Sequence, residues 1–561
     1  MLAALALLAG SAACATSTTV IEKTEVHAVR LAVLPRTRAE RSGFTETSRY
    51  ADVVAFLDSL KLAGAPVVFG SIGKTSEGRD IPYVLASRPL VHSAEEARAT
   101  GKPIVYVQGN IHAGEVEGKE ALQALVRDLA FARESNVLDS VILIAVPIYN
   151  ADGNERVGPQ EKQRSEQNGP ELVGQRANAQ GLDLNRDYVK AEAPETRASL
   201  AMFNAWDPDV FVDLHTTDGS FHGYALTYAP SLHPSAQLGD YTRELLSEVR
   251  SRMRARHHYE TFDYGNFADA RGEEVSTDTV HSGWFTYDHR PRFGTNYYGL
   301  RNRIGILSEA FSHDPFERRV KSTYAFVGEV LSLVAERGAE IRRREAADPA
   351  LSDFQWGVRD RQRPMLALRS ALPKSGQSQL VSFEVLASTG DSTRTQAGVP
   401  RGIRRTGELR ARTMPVLDRF AATREEMIPT GYLVRRSDTT TTAALRRHGI
   451  VAEPMTSDFQ LDAIELFTVD SVIRQPRVFQ GHHEARLAGS WTRREGSLNS
   501  TDWYRVSTRQ NLGRLVMVLL DPGSDDGFAT WDILDRPISV GPYPVARNWW
   551  GMYHDPPVPH P

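Results

Sequence analysis

Cysteine is all but absent from this 561-residue chain, with Cys14 the single one. That excludes a framework of internal disulfides and any metal site built from cysteine pairs. Long hydrophobic runs are missing too: beyond the first residues no stretch of eighteen apolar residues occurs, so nothing there reads as a spanning helix. Charge of one sign is also lacking. Against 70 acidic residues stand 66 lysines and arginines, a formal net charge of −4, so no global field draws nucleic acid or an anionic membrane. No repeat of fixed period is evident, which excludes a solenoid. What is present, 41% hydrophobic and 24% charged residues, is the composition of a soluble globular protein, with chain enough for roughly two to four domains.

The first residues, MLAALALLAGSAACATSTT, form a short apolar run that ends in small residues. Residues 1–18 read as a secretory signal, too short to span a bilayer. Two cleavage readings compete. Ser11-Ala12-Ala13 before Cys14 resembles a lipoprotein box, although the usual leucine three places before the cysteine is absent. Ala13-Cys14-Ala15 offers an ordinary small-x-small site. The expectation is an exported chain, periplasmic or extracellular, whose only route to a membrane is a lipid on Cys14.

The chemistry starts in VYVQGNIHAGEVEGKEAL, where His112 and Glu115 form a His-x-x-Glu pair between a strand-like run (Ile104 to Val107) and a helix-like run (Glu120 to Ala130). Two such ligands can meet one ion from a single turn of chain. Alone the pair does not mark a metal site, because a short motif needs its structural context. Catalytic zinc takes three protein ligands and keeps a position open. His215 follows a second apolar run, Val210 to Leu214, and Glu309 follows a third, Ile304 to Leu307. Groups at the carboxyl ends of such strands collect where open α/β sheets bind ligands. Taken singly, His215 is as well explained as a hydrogen-bonded loop histidine, and Glu309 as the partner of Arg301 or Arg303. Between them, GQRANAQGLDLNRDY sets Arg176, Asn185 and Arg186 in a glycine-punctuated loop. Arginine's planar fork fits carboxylates and keeps its charge at any working pH. A metal, a carboxylate and two arginines suit hydrolysis of an amide beside a terminal carboxylate.

In order along the chain, GNIHAGEVEGKE, PIYNADG, RANAQGLDLNRD, DLHTT and LSEAF resemble the zinc carboxypeptidase (metallocarboxypeptidase) family. IGKTSEGRDIPYVL, after a helix-like run from Tyr50 to Leu62, is similar to the opening strands of the same domain, so the resemblance covers about 45–345. It implies one zinc per chain held by His112, Glu115 and His215, with Glu309 as general base and Arg176 polarising the carbonyl. It further implies Asn185 and Arg186 as carboxylate anchor, and a substrate-covering tyrosine. Tyr287, Tyr297 and Tyr298 all lie upstream of Glu309, and Tyr298 is taken as the candidate. The implied fold is α/β, a mixed central sheet flanked by helices. The implied substrate is a peptide, with a small amide as the alternative. Two departures stand out: Ala151 where the family often has proline, and Asp187 where it commonly has asparagine. Asp187 leaves two readings open, a charge that weakens carboxylate binding or a structural cap. With the tyrosine unassigned, it gives some weight to an amidohydrolase acting on N-acyl amino acids or cell-wall peptides. A non-catalytic binding protein on the same fold is the third reading.

After an amphipathic helix over Val327 to Arg344, residues 350–561 read as one or two β-rich domains. SQLVSFEVLAS, WYRVSTRQ and RLVMVLLDPGSDDG are expected strands, Ala443 to Arg447 a short helix, and Thr439 to Thr442 a loop or cap. The resemblance places similar extensions on long bacterial members of the family, with carbohydrate binding, a lid and scaffolding all open as roles. Adjacent His482 and His483 point different ways and read as a surface loop.

Overall fold

The computed structural model describes residues 34–268, 283–347, 364–391, 393, 399–456, 464–494 and 500–549. The leader with Cys14 and the PPVPHP end lie outside them. Four apolar runs lie side by side as parallel strands, in the order Ile142–Val146, Ile104–Gly109, Val210–Thr216 and Ile304–Ala310. Every residue in them is buried, as expected for strands covered on both faces. Asp80–Ala86 and then Val68–Lys74 extend this sheet antiparallel on one side. Leu226–Pro230 and Thr261–Asp263 complete eight strands on the other.

Helices cover both faces, so the α/β fold with a mixed central sheet is the one observed. Tyr50–Leu62, Glu117–Phe131, Gly239–His257 and Phe316–Ala346 pack one apolar core with Val105, Val107 and Val212. On the opposite face Pro194–Trp206 and Gly294–Leu300 supply Leu200, Phe203, Tyr297 and Tyr298. That second core continues without a break into Leu445, Leu515, Met517 and Trp531 of the C-terminal region. Each fully buried side chain of this size contributes about 1.5–3 kcal/mol, so the two parts are joined by substantial apolar packing. No helix of the described residues is long and apolar enough to cross a membrane.

The C-terminal region is β-rich. Gln377–Ser388 and Ile403–Leu417 form a long hairpin that joins Asn266–Ala268 and Gly283–Phe285. A six-stranded sheet runs in the order Glu453–Pro454, Trp503–Ser507, Gly431–Arg435, Gly541–Asn548, Ile464–Arg474 and Ala485–Arg494. Two segments differ from the sequence expectation. RLVMVLL is not a strand but part of a helix, Gly513–Leu520, with every residue buried. A short run that is apolar throughout carries no period to separate strand from buried helix. Thr439 to Thr442 is not a loop but the first turn of helix Thr439–Arg447, started by Asp438, whose side chain accepts the Thr441 N–H at 2.8 Å.

Candidate active site

The turn between strand and helix is shaped by two features of sequence. Asn110 adopts a left-handed conformation (φ +68°) directly after the strand, and its amide donates to the Ala113 and Glu115 carbonyls at 3.3 Å each. Gly109 and Gly118 let strand and helix approach closely: a Cβ on Gly109 would lie 2.9 Å from the Gly118 backbone, and one on Gly118 2.6 Å from Leu214. Helix Glu117–Phe131 therefore begins three residues before the expected Glu120, and His112 and Glu115 are folded onto the end of the neighbouring strand. There His215 completes the set, with its Nδ1 2.9 Å from one Glu115 oxygen while His112 Nδ1 lies 3.0 Å from the other. One donor atom from each of the three lies within 4.8 Å of the others.

A carboxylate lies on the far side of each imidazole. His112 Nε2 lies 3.0 Å from Asp183 Oδ1, and His215 Nε2 lies 3.0 Å from Asp213 Oδ2. Asp213 also accepts from Gln108 Nε2 at 3.1 Å, and that amide reaches the Tyr188 hydroxyl at 3.2 Å. Both rings are thus oriented with Nδ1 toward Glu115. This is the arrangement that fixes tautomer and direction in histidine–metal sites. The donor types fit zinc, for which two histidines and a glutamate are a usual catalytic set, and each imidazole Nδ1 faces a Glu115 oxygen. Charge argues the same way. Burial opposes an ionised Glu115, yet His112 and Arg164 hold its carboxyl well below the usual range. Burial also opposes charge on His215, yet Asp213 and Glu115 hold it well above the ordinary value. The cluster calls for positive charge at its centre.

Glu309 sits on the adjacent parallel strand, in register with His215. It is 7% exposed, and among the described residues its Oε2 has no hydrogen-bond partner. Burial, with Glu115 and Asp218 nearby, pushes its carboxyl well above the usual range. The ion pair with Arg301 or Arg303 that the sequence left open is not formed: Arg301 reaches the His448 carbonyl and Asn204, and Arg303 pairs with Asp207.

The arginine loop lies against the same centre. Arg176 donates to Asp183 Oδ2 at 3.0 Å and stands 3.5 Å from Glu115 Oε1. The Asn150 amide donates to both the Ile111 and Arg176 carbonyls at 3.2 Å, tying the loop to the ligand turn. Asn185 Oδ1 accepts the Gly294 N–H at 2.9 Å, and the Arg186 guanidinium lies 3.8 Å from the Phe293 ring centre. Asp187 faces away from this anchor. It is fully buried and accepts the N–H groups of Glu192 at 3.0 Å and Ala193 at 2.9 Å, just before helix Pro194–Trp206. Of its two readings the structural one is observed: the carboxylate ties down the backbone that leads into the helix.

His112, Glu115, His215, Glu309, Arg176, Asn185 and Arg186 all line one cavity of about 60 Å³. Tyr298 does not. It is 0% exposed, its ring centre 4.0 Å from that of Phe203 and 4.6 Å from that of Phe211, in the core below the sheet. Two adjacent tyrosines on a short helix face different ways, and both Tyr297 and Tyr298 turn inward. The tyrosines on the cavity wall are Tyr287 and Tyr264. Their hydroxyls meet Thr295 Oγ1 at 2.7 Å and Asp218 at 3.2 Å. A larger cavity, about 510 Å³, opens between Ser231–Arg243 and Phe420. Two of its arginines are already paired, Arg243 with Asp418 and Arg419 with Asp240, so size does not mark the chemistry here.

Three residues escaped the sequence reading. Asp213 was findable, since positions two apart share one face of a strand. Asp183 was findable only through its place in DLNR. Arg164, 3.0 Å from Glu115 and donating to the Thr216 and Thr217 carbonyls, sits in a polar stretch with nothing to single it out.

Residues 53–299 match the family model described as zinc carboxypeptidase. Over 501 residues the chain is 23% identical to Carboxypeptidase 2 of Trichophyton equinum, covering 84% of this chain and 81% of that one. Over 125 residues it is 34% identical to Carboxypeptidase Z of Mus musculus, covering 21% and 17% respectively. Among solved structures, a metallo-carboxypeptidase from Burkholderia cenocepacia aligns with 51% of this chain and 70% of its own, at 18% identity and a TM-score of 0.39.

Proposed function

Residues 53–299 are a zinc carboxypeptidase domain, and from that premise we propose that the chain hydrolyses C-terminal peptide bonds with Glu309 as general base. The observation that carries this is the convergence of the three metal donors, Glu309, Arg176, Asn185 and Arg186 on one cavity. Glu309 lies beyond residue 299, so its place rests on the strand register with His215.

The terminal carboxylate of the peptide is taken by the Arg186 guanidinium and the Asn185 amide N–H, a charge-assisted pairing with the geometry arginine favours. Arg176, steadied by Asp183, faces the scissile carbonyl and stabilises the negative charge that develops on its oxygen. Glu309 accepts the proton of the attacking water and returns it to the leaving amine. The burial that raises its affinity for a proton suits it to that transfer. His112, Glu115 and His215 would hold one zinc, which supplies Lewis acidity toward the carbonyl and the water when bound. Phe293, Leu307 and Tyr287 wall the cleft.

The amidohydrolase alternative rested on Asp187 and on the unassigned tyrosine. With Asp187 in that structural role and Tyr287 on the wall, neither favours it. Export belongs to the same proposal and rests on residues 1–18, with both cleavage readings kept: a lipoprotein box that would put a lipid on Cys14, or the ordinary site Ala13-Cys14-Ala15. Mass analysis of the mature N-terminus tests it: an unprocessed leader would contradict export.

The function is tested with a pair of peptides, one ending in a free carboxylate and one in an amide, incubated with the zinc-loaded chain and read by mass spectrometry. The acid peptide should shorten from its C-terminus and the amide should stay intact. Equal cleavage of both, or cleavage of neither, would reject the proposal.

A further inference from the structure

The turn DPGSDDG of the C-terminal region has no part in the chemistry above, yet its aspartates reach into the catalytic half. Asp521 stays within its own sheet, accepting from the Tyr432 hydroxyl at 3.0 Å and from Arg547. Asp525 lies 3.1 Å from His289 Nε2. Asp526, 0% exposed, accepts the backbone N–H of Arg292 at 2.7 Å, the Arg292 Nε at 2.9 Å and the Trp531 indole N–H at 3.0 Å. Glu484, from a different loop of the same region, takes the other end of Arg292 at 2.8 and 3.2 Å. The Arg292 guanidinium also lies 4.4 Å from the centre of the Trp531 ring. Every donor face of this buried arginine is therefore met from the C-terminal region.

Arg292 directly precedes the two residues that complete the carboxylate anchor. Phe293 lies under Arg186, and the Gly294 N–H holds the Asn185 oxygen, while the Asn185 amide nitrogen lies 3.5 Å from His215 Nε2. A Cβ on Gly294 would lie 2.8 Å from the Tyr188 ring, so this backbone has no slack. A displacement of Arg292 is thus transmitted directly to Arg186 and Asn185.

We infer that Asp526, Glu484 and Trp531 are positioning residues for recognition of the substrate carboxylate, acting through Arg292, Phe293 and Gly294. The C-terminal region is then a part of the substrate-binding wall and not an appended module. This inference rests on the proposed function, because it assigns the anchor the task of binding a C-terminal carboxylate.

A double-mutant cycle on the full zinc-loaded chain tests it. Asp526→Asn keeps size and removes the charge that orients Arg292. It should raise KM for the acid peptide about tenfold while kcat changes less, the split expected when a ground-state contact is lost. In an Arg186→Ala background the same substitution should add little, because the contact it serves is already gone. Calorimetric binding of the acid peptide in a Glu309→Gln background should show the same pattern without turnover. Glu484→Gln, on the half-buried rim, repeats the cycle should Asp526→Asn fail to fold. Independent, multiplicative effects of Asp526 and Arg186, or a fall in kcat at constant KM, would overturn the inference. A chain that neither binds nor cuts the acid peptide overturns the proposed function and this inference together. A chain that does both but gives independent effects overturns the inference alone.

Discussion

The two sides of the cleft are held in different ways. On the metal side, His215 and Glu309 are neighbours in a parallel sheet, and His112 and Glu115 occupy a turn pinned between strand and helix. Backbone ladders inside one domain fix these groups. On the carboxylate side, Arg186 and Asn185 rest on a loop, Asp288–Gly294, fastened by Asp525, Asp526 and Glu484 from 190 or more residues further along the chain. Side-chain ion pairs across a seam fix that side. In the proposed function, the sheet-held side carries out the hydrolysis, and the side clamped by side chains decides which end of the peptide is gripped.

The most drastic way to break this comparison is to remove everything after residue 347. The core around Leu200, Phe203 and Tyr297 would lose Leu445, Leu515 and Trp531. The expected outcome is an insoluble chain or one without a cooperative melt, read by circular dichroism; a truncated chain that melts cooperatively and cuts at the full rate would show the two sides to be independent. Glu309→Gln should lower turnover by roughly 10²–10⁴-fold, with zinc retained, which places its effect wholly on the sheet-held side. Arg186→Ala should act on the other, raising KM by about 10- to 100-fold, the cost of a lost charge-assisted pairing. Its loss should be far smaller on an amide-terminated peptide assayed for binding. Tyr298→Phe removes a buried hydroxyl with no partner among the described residues. It should leave KM unchanged and stability within about 1 kcal/mol; a large KM effect would return Tyr298 to the cleft.

The smallest effect concerns the seam. His482 lies 2.9 Å from Glu192, and that hydrogen bond, working against partial burial, raises its pKa. A raised histidine contributes its stability fully below its unfolded value, about 6.5, and loses it as pH climbs through the folded value. Wild type should therefore exceed His482→Gln in melting temperature on the acid side, by about 1 kcal/mol or less in stability. The gap should close at alkaline pH. A gap independent of pH would remove the charge from this contact.

What was legible in the sequence follows the same division. The buried strands announced themselves as apolar runs, and the groups at their carboxyl ends were found because strand ends are where such sheets work. Helix Tyr50–Leu62 fell where its pattern put it. The carboxylate side was legible only for the residues in DLNRD. Arg292, Asp526 and Glu484 were invisible, because contacts between distant segments leave no local period. Tyr298 was misplaced because its short helix, Gly294–Leu300, is buried throughout and packs this ring on Phe203 and Phe211, a burial that no local pattern signals. Gly513–Leu520 was misread because a wholly buried helix and a wholly buried strand look alike over eight residues.

The central claim is that His112, Glu115 and His215 hold a catalytic zinc beside Glu309. Zinc content of the purified full chain, compared across wild type, His112→Ala, His215→Ala and Glu309→Gln, tests it most directly. About one zinc per chain is expected in wild type and in Glu309→Gln, with loss in both histidine variants. Full occupancy in either histidine variant, or none in wild type after reconstitution, would contradict it.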